Sequence, residues 1–194
     1  MSEAAGDGYV KWLMAQTPQL KAPAPYLVVD NTVHKPTIYF DLDGVLADFD
    51  KAAERVLGTS NIYRFEFVHG QEEFWRLLNR SRGFFRDMEM MPGADHLLRA
   101  ADGFPTAVLT ALPKTNGESV ADQKRRWVEQ HLGPHYHVIT CLTHEKPNYC
   151  KPGDILIDDR AVNKRRWEAK GGKFVLHENV GNTLAQLESL GVKA

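Results

Sequence analysis

The sequence predicts an α/β fold with three layers, in which a parallel β-sheet lies between helices. Short runs of β-branched and aliphatic residues alternate with helical patterns from residue 37 onward, and this alternation is typical of βαβ units. A segment rich in aromatic residues and arginine, at 59–91, interrupts the alternation after the first strand and predicts a small helical cap. The chain has 194 residues, which fits one domain with a small insertion. We predict a core domain at 37–58 and 92–194.

Composition excludes several classes of protein. Hydrophobic residues make up 43% of the chain, enough for a core, and the formal net charge of −1 gives no general surface for nucleic acid or membrane. Cys141 and Cys150 lack metal-type spacing, so we expect reduced thiols. No apolar run approaches the length of a transmembrane helix, and residues 1–16 lack the pattern of a signal peptide. We therefore expect a cytoplasmic protein.

Residues 1–36 form an N-terminal extension to which we assign no chemistry. One or two helical turns are predicted over 9–15 and a strand or hairpin arm over 26–29. The stretch between them contains two prolines at 21–25, which predicts an extended spacer because proline blocks a helix and restricts its predecessor.

The first core strand is predicted at 37–40 and runs directly into two carboxylates, Asp41 and Asp43. Gly44 follows and permits a sharp loop. In open α/β sheets, ligands bind at the carboxyl ends of strands. Two carboxylates this close repel each other, so a fold keeps both only where a cation neutralises them or where the two have different chemical roles. The alternative is an acidic turn without chemistry, because short motifs often match by chance.

Phosphoryl transfer can use both acids. Asp41 would attack phosphorus and become an aspartyl-phosphate. Asp43 would protonate the leaving alkoxide and then deprotonate the water that hydrolyses the intermediate. Because a carboxylate attacking a phosphate dianion needs a cation, and hard oxygen ligands select Mg²⁺, we expect that metal.

The cap segment is flanked by a predicted helix at 48–57 and contains another at 71–79. A lid of aromatic residues and arginine would suit a substrate with a flat base and a phosphate. For most of these aromatic residues, the alternative is that they only form the core of the cap. Phe49 differs, because it comes directly after the acids and is a candidate to face the pocket.

Three later strands also end in polar groups. Thr110 ends a strand at 106–110, Lys146 follows a strand at 137–142, and Asp158 with Asp159 follows aliphatic residues at 155–157. The remaining predicted elements are a strand at 173–176 and helices at 94–101, 118–132, 161–170 and 182–190. Because the carboxyl ends of parallel strands meet at one edge, these groups would form a complete phosphoryl-transfer site with the first two acids. Thr110 would bind a phosphate oxygen, with the charge of Lys114 nearby.

Two further patterns are interpreted as structural. His135 and His137 have a metal-like spacing, but no third ligand is nearby. The tetrapeptide Lys-Arg-Arg-Trp occurs at 124–127 and again at 164–167. We interpret both copies as crossover helices with a buried tryptophan and a solvated basic face, since acidic residues flank them. A nucleic-acid patch is the alternative.

With these motifs, the chain resembles the haloacid-dehalogenase-like (HAD) phosphohydrolases. Their four motifs would be 41–45, Thr110, a lysine, and the pair Asp158 and Asp159. The resemblance implies a three-layer Rossmann-like sheet, Asp41 as nucleophile, and Asp43 as acid/base that also offers its backbone carbonyl to Mg²⁺. Thr110 and the lysine would hold the phosphoryl group, and the terminal pair would complete the metal site. The second acid favours a phosphatase over a dehalogenase, because halide displacement leaves no alkoxide to protonate.

Within that superfamily the chain looks most like the 5′(3′)-deoxyribonucleotidase group. The similar stretches are 41–49, Gly-Phe-Phe-Arg at 83–86 leading to Met-Pro-Gly-Ala at 91–94, and 155–160. By this likeness Phe49, Trp75 and Phe85 would stack on a base. There are two departures from the pattern. Ala111 stands where the family often has serine, and either Lys146 or Lys151 fits the motif lysine, with Lys146 favoured because it follows a strand.

The expected function is a Mg²⁺-dependent phosphomonoesterase that acts on (deoxy)nucleoside monophosphates. A sugar phosphate or another small phosphate ester is the alternative substrate, and a non-catalytic binding module is the alternative from another class. The expected partner is thus a small phosphate ester, without a membrane or a polymeric nucleic acid. Oligomeric state stays open, with a homodimer as one possibility.

Overall fold

The computed structural model describes residues 35–192, and the features predicted at 9–15, 21–25 and 26–29 lie outside that range. Within it, one sheet of five strands has the order β3-β2-β1-β4-β5, and all neighbouring strands are parallel. The strands are β1 (Ile38–Phe40), β2 (Thr106–Ala111), β3 (His137–Cys141), β4 (Ile155–Asp158) and β5 (Lys173–Leu176). The predicted α/β class and parallel sheet are confirmed.

Helices connect these strands. They are α1 (Phe49–Leu57), α2 (Ile62–His69), α3 (Gln71–Arg80), α4 (Ala94–Ala100), α5 (Gly117–His131), α6 (Lys164–Glu168) and α7 (Val180–Ser189). Two 3₁₀ helices cover Thr143–Tyr149 and Ala161–Asn163. The single helix expected at 161–170 is thus wrong in its first turn. There, the buried side chain of Asn163 donates to the carbonyl of Thr143 at 2.7 Å and ties the second 3₁₀ helix to the beginning of the first. No helix among residues 35–192 is long and apolar enough to cross a bilayer.

Strand β1 lies at the centre of the sheet and positions everything at its carboxyl end. Ile38 and Phe40 are fully buried, as expected for an aliphatic and aromatic strand with neighbours on both sides. Phe40 is level with Val108 of β2 and with Ile157 of β4. The residue after β1 therefore lies between the ends of two strands that also carry polar groups.

Helix α1 begins one residue after the predicted start at 48 and ends at the predicted residue, Leu57. The Asp48 carboxylate accepts a hydrogen bond from the Lys51 N–H at 3.1 Å and caps the amino end. Gly58 ends the helix in the left-handed conformation, with φ of 64°. The helix packs against α2 and α3, so its position is tied to the cap segment.

Two segments that lead into and out of the α1–α3 region pair with each other. Ala47 and Met90 form an antiparallel bridge, flanked by hydrogen bonds from the Asp48 N–H to the Glu89 carbonyl at 2.9 Å and from the Met91 N–H to the Leu46 carbonyl at 2.8 Å. This pairing ties the beginning and the end of the α1–α3 region to each other. The cap boundaries expected at residues 59 and 91 stay a prediction.

Candidate active site

The ends of β1, β3 and β4 bring an ammonium group between two carboxylates. Lys146 Nζ lies 2.7 Å from Asp41 Oδ2 and 2.8 Å from Asp158 Oδ2. All three side chains are buried. Lys151, the alternative lysine, is exposed, and its backbone N–H donates to Asp154. The structure therefore places Lys146, and not Lys151, among the acids.

Burial and charge act in opposite directions on Lys146. Burial lowers its pKa, but the negative charges of Asp41 and Asp158 outweigh this and raise the pKa overall. The pKa of Asp158 is raised by burial and by Asp41, against the effect of Lys146. Lys146 thus stays protonated at neutral pH and keeps Asp41 in a fixed orientation. The other oxygen of Asp41 accepts the Leu42 N–H at 2.7 Å.

A second buried lysine, Lys124 of α5, holds the other catalytic candidates. Its Nζ lies 2.8 Å from Asp43 Oδ2, 2.8 Å from Thr110 Oγ1 and 2.7 Å from the Ala111 carbonyl oxygen. The interpretation of 124–126 as a solvated basic face is wrong for Lys124, whose exposed fraction is 0%.

Helical spacing could have revealed the position of Lys124. It lies four residues after Val120 and four before Val128, both buried on α5, and so falls within the buried stripe of that helix. The neighbouring Arg125 and Arg126 are exposed, as expected. In the second copy of the tetrapeptide, only the tryptophan is buried, so the interpretation is correct there.

Asp43 has an environment that differs from that of Asp41. Loss of hydration raises the pKa of Asp43, Lys124 opposes the rise, and Asp41 adds to it. The protonated form is therefore more favoured than in an ordinary aspartate. A carboxyl group of this kind suits the role of a general acid.

Three carboxylates form a group that can hold a cation. Asp41, Asp158 and Asp159 each offer an oxygen atom, and these atoms lie within 4.8 Å of one another. Burial and the charges of the other two raise the pKa of Asp159 to about 7. Oδ1 of Asp159 is buried without a partner in the described part of the chain. An all-oxygen donor set with this excess of negative charge fits a hard divalent cation.

Asp43, also predicted as a metal residue, does not join this group through its carboxylate, which faces Lys124. Gly44 lets the loop pass close to Asp159. Its φ is +76°, and a Cβ atom there would lie 2.7 Å from Asp159 Oδ2. Glycine is therefore required at this position by both conformation and space.

An aromatic cluster lies beside the acids. The ring centroid of Phe49 is 6.1 Å from that of Trp75, 5.4 Å from Phe84 and 6.3 Å from Phe85. Lys124 Nζ lies 5.1 Å from the Phe85 ring centroid, which connects the cluster to the site. Phe49 and Trp75 are partly exposed, whereas Phe85 is 2% exposed. Of the three predicted stacking residues, two are therefore partly exposed and one is buried.

Two other residues predicted to bind substrate, Ala111 and Lys114, make no side-chain contact with the acids in the described part of the chain. Ala111 contributes its backbone carbonyl to Lys124. Lys114 is exposed in the loop after β2, and across residues 35–192 no hydrogen bond or ion pair joins it to the acids. The described residues also give His135 and His137 no part in a cluster of metal-ligating side chains.

Together, a parallel sheet with buried acids and lysines at its carboxyl edge defines a phosphohydrolase of the HAD superfamily. A HAD-superfamily hydrolase from Geobacter sulfurreducens has the same fold, with a TM-score of 0.51 and 16% identity over 81% of this chain and 97% of that chain. Residues 35–187 match the sequence model of one family, described as 5′ nucleotidase, deoxy (Pyrimidine), cytosolic type C protein. The chain belongs to this family, and it is a phosphoric monoester hydrolase.

Two relatives illustrate the match. The chain is 29% identical over 158 residues to the cytosolic type 5′(3′)-deoxyribonucleotidase of Homo sapiens, a match that covers 72% of this chain and 78% of that protein. It is 31% identical over 131 residues to a putative 5′(3′)-deoxyribonucleotidase of Vibrio phage KVP40, covering 66% and 69%. Phosphatases of this superfamily generally use a divalent metal ion, and the three aspartates fit one.

Proposed function

We propose that the protein hydrolyses (deoxy)nucleoside 5′-monophosphates to nucleoside and phosphate with Mg²⁺. The observation that carries this proposal is the partly exposed pair of rings, Phe49 and Trp75, beside Asp41 and Asp43. A flat base can stack on these rings while the phosphate reaches the acids. The names of the two relatives support the same substrate class.

The two acids divide the reaction. Asp41, oriented by Lys146, attacks phosphorus, and the bond from phosphorus to the 5′ oxygen breaks as the Asp41–phosphorus bond forms. The protonated Asp43 gives its proton to the leaving oxygen. The Asp43 carboxylate then takes a proton from water, which attacks phosphorus and releases phosphate and free Asp41. Thr110, whose hydroxyl accepts a hydrogen bond from Lys124, would bind a phosphoryl oxygen.

Mg²⁺ would be held by Asp41, Asp158 and Asp159, and when bound it would supply positive charge to the phosphoryl group. The choice of Mg²⁺ follows from the hard oxygen donors. We also propose a cytoplasmic location, in line with the cytosolic type of the human relative.

Asp41→Asn tests the nucleophile. The amide cannot form the acyl phosphate, so we expect Mg²⁺-dependent phosphate release from deoxynucleoside monophosphates to fall by roughly a thousandfold or more. Asp95→Asn, an exposed change on α4, serves as control and is expected to leave the rate unchanged. Retention of more than a trace of activity in a folded Asp41→Asn protein would show that the nucleophile is elsewhere.

A panel of substrates separates the proposal from its rival, a sugar phosphatase. We expect deoxynucleoside monophosphates to be hydrolysed with a higher kcat/KM than 2-deoxyribose 5-phosphate, because only the former present a base to Phe49 and Trp75. Equal values for both would favour the rival substrate class.

A further inference from the structure

Asn163, the last residue of the second 3₁₀ helix, is buried and holds the first 3₁₀ helix by its side chain. Its Nδ2 atom donates to the Thr143 carbonyl oxygen at 2.7 Å, and only 1% of the residue is exposed. Within residues 35–192, no other hydrogen bond joins the two 3₁₀ helices. Asn163 also directly precedes α6, where an asparagine side chain commonly caps the helix, but it makes no cap hydrogen bond there. The side chain therefore serves the first 3₁₀ helix and not the helix that it precedes.

The two segments that Asn163 joins carry the two partners of a buried ion pair of the site. Lys146 lies on the first 3₁₀ helix, three residues after Thr143. Asp158 ends β4, from which the chain continues into the second 3₁₀ helix. Lys146 Nζ lies 2.8 Å from Asp158 Oδ2. The ion pair and the Asn163 hydrogen bond therefore connect the same two segments at two points.

The first 3₁₀ helix has little support of its own near Lys146. Pro147 follows Lys146 inside this helix and has no N–H to donate. Hydrogen-bond geometry is also poorer in a 3₁₀ helix than in an α-helix. A lysine ammonium is a point charge on a flexible stem, so its position depends on the backbone that carries it. The hydrogen bond from Asn163 thus supplies an external support close to Lys146.

We propose that Asn163 is a positioning residue for phosphoryl transfer, which holds the segment of Lys146 so that the ammonium stays between Asp41 and Asp158. This inference rests on the role proposed for Asp41 as nucleophile, but not on which phosphate ester is the substrate. Lys146 Nζ lies 2.7 Å from Asp41 Oδ2, so a displaced Lys146 would release Asp41 from its orientation for attack. A displacement of about 1 Å at a reacting centre can lower a rate by roughly a hundredfold.

Asn163→Ala tests this role, because alanine cannot donate to the Thr143 carbonyl. The substrates are thymidine and deoxycytidine 5′-monophosphates and 2-deoxyribose 5-phosphate. We expect kcat to fall by roughly tenfold on all three, because Lys146 acts at the phosphoryl end that they share. KM should change by less than about twofold, since no group that contacts the rest of the substrate is altered.

Asn179→Ala is the matched control for lost stability. Asn179 is exposed and caps α7, where its Oδ1 accepts the Asn182 N–H at 2.9 Å. Both asparagine variants lose one hydrogen bond, and we expect the melting temperature of each to fall by roughly 2–4 °C. Only Asn163→Ala should also lower kcat. Equal kcat values in the two variants would show that Asn163 is structural and would overturn the proposal.

A double-mutant cycle with Lys146→Met shows whether Asn163 acts through Lys146. Once the ammonium is absent, Asn163 has nothing left to position, so kcat of the double variant should equal that of Lys146→Met within about twofold. Losses that multiply would mean that Asn163 acts through another group. The apparent activation constant for Mg²⁺ is the second readout and should change by less than about twofold in Asn163→Ala. A large rise in that constant, with kcat restored at saturating Mg²⁺, would assign Asn163 to the acidic pair instead of Lys146.

The outcomes separate this inference from the proposed function. A wild-type enzyme that hydrolyses nucleotides, with an Asn163→Ala variant of unchanged kcat, would overturn the role of Asn163 alone. A wild-type enzyme that hydrolyses 2-deoxyribose 5-phosphate but neither nucleotide would overturn the proposed substrate class. In that case the fall in kcat on the sugar phosphate still decides the role of Asn163.

Discussion

Each of the two buried lysines of the site neutralises a different acid. Lys146 bridges Asp41 and Asp158, while Lys124 contacts Asp43 and the hydroxyl of Thr110. Two aspartates separated by one residue thereby occupy different electrostatic environments. Different environments are what allow neighbouring carboxylates to take the separate roles of nucleophile and general acid.

Lys124→Met removes the charge from one of these environments and keeps a side chain of similar length. We expect kcat/KM to fall by roughly a hundredfold, because Thr110 and Asp43 lose their common partner. Lys124 opposes the rise in the pKa of Asp43, so its loss should raise that pKa further. Protonated Asp43 acts as the acid, and activity is lost as pH rises through its pKa. The basic limb of the pH–rate profile should therefore move to higher pH.

The control for this prediction is Arg126→Met, two residues along the same helix. Arg126 pairs with Asp122 at the surface, where both side chains are more than half exposed, so the change should affect kcat/KM by less than about twofold. An unshifted basic limb in Lys124→Met would show that Lys124 does not set the pKa of Asp43.

At the scale of elements, α5 connects the site to the segment that follows α3. Gln123 Oε1 accepts the Phe85 N–H at 3.1 Å, and Trp127 Nε1 donates to the Met88 carbonyl at 2.8 Å. Lys124, between them in sequence, faces the Phe85 ring. One helix therefore holds both a site lysine and the segment on which Phe49 packs.

Gln123→Ala should loosen this connection. The Phe85 N–H loses its acceptor, which costs about 1 kcal/mol of stability, and we expect KM for nucleotides to rise about threefold as Phe85 loses its fixed position under Phe49. Gln123→Glu keeps a carboxylate oxygen as acceptor and should remain near wild type in both KM and melting temperature. Ser119→Ala removes only a 3.4 Å contact with the Gln123 amide and is the control. Equal damage from the Ala and Glu variants would exclude the hydrogen bond as the cause.

At the scale of the whole molecule, the polar residues at the carboxyl edge of the sheet were predictable from the sequence. The contacts that Lys124 of α5 makes with some of them were not. Asp41, Thr110, Lys146 and Asp158 follow strands that aliphatic periodicity reveals, and parallel strands bring their carboxyl ends to one edge. Lys124 was missed because a lysine is seldom buried, and because its partners, one after β1 and two on β2, come close to it only after folding.

The same limit applies to the cap. The sequence indicated α3 but did not separate α2 as an element. Contacts between elements depend on packing, which periodicity along one helix does not report.

The crowding of acids at this edge makes stability depend on pH and on metal. The pKa values of Asp43, Asp158 and Asp159 are all raised in the folded protein, that of Asp159 to about 7. In the metal-free protein, the folded state therefore binds more protons than the unfolded state between the ordinary aspartate pKa of 3.8 and about 7. These groups contribute stability below pH 3.8 that is lost as pH rises toward 7 and above.

A divalent cation should reverse this loss, since it replaces the protons as the partner of the carboxylates. We expect Mg²⁺ to raise the melting temperature more at pH 8 than at pH 5.5, by roughly 3 °C, the change that about 1 kcal/mol makes in a chain of this size. Calorimetry with and without a chelator measures the difference. Asp159→Asn removes one of the three proposed metal ligands, whose pKa is raised to about 7, so the difference should shrink in that variant, while Asp95→Asn should retain it. A Mg²⁺ effect that is equal at both pH values would show that these carboxylates do not exchange protons for the metal.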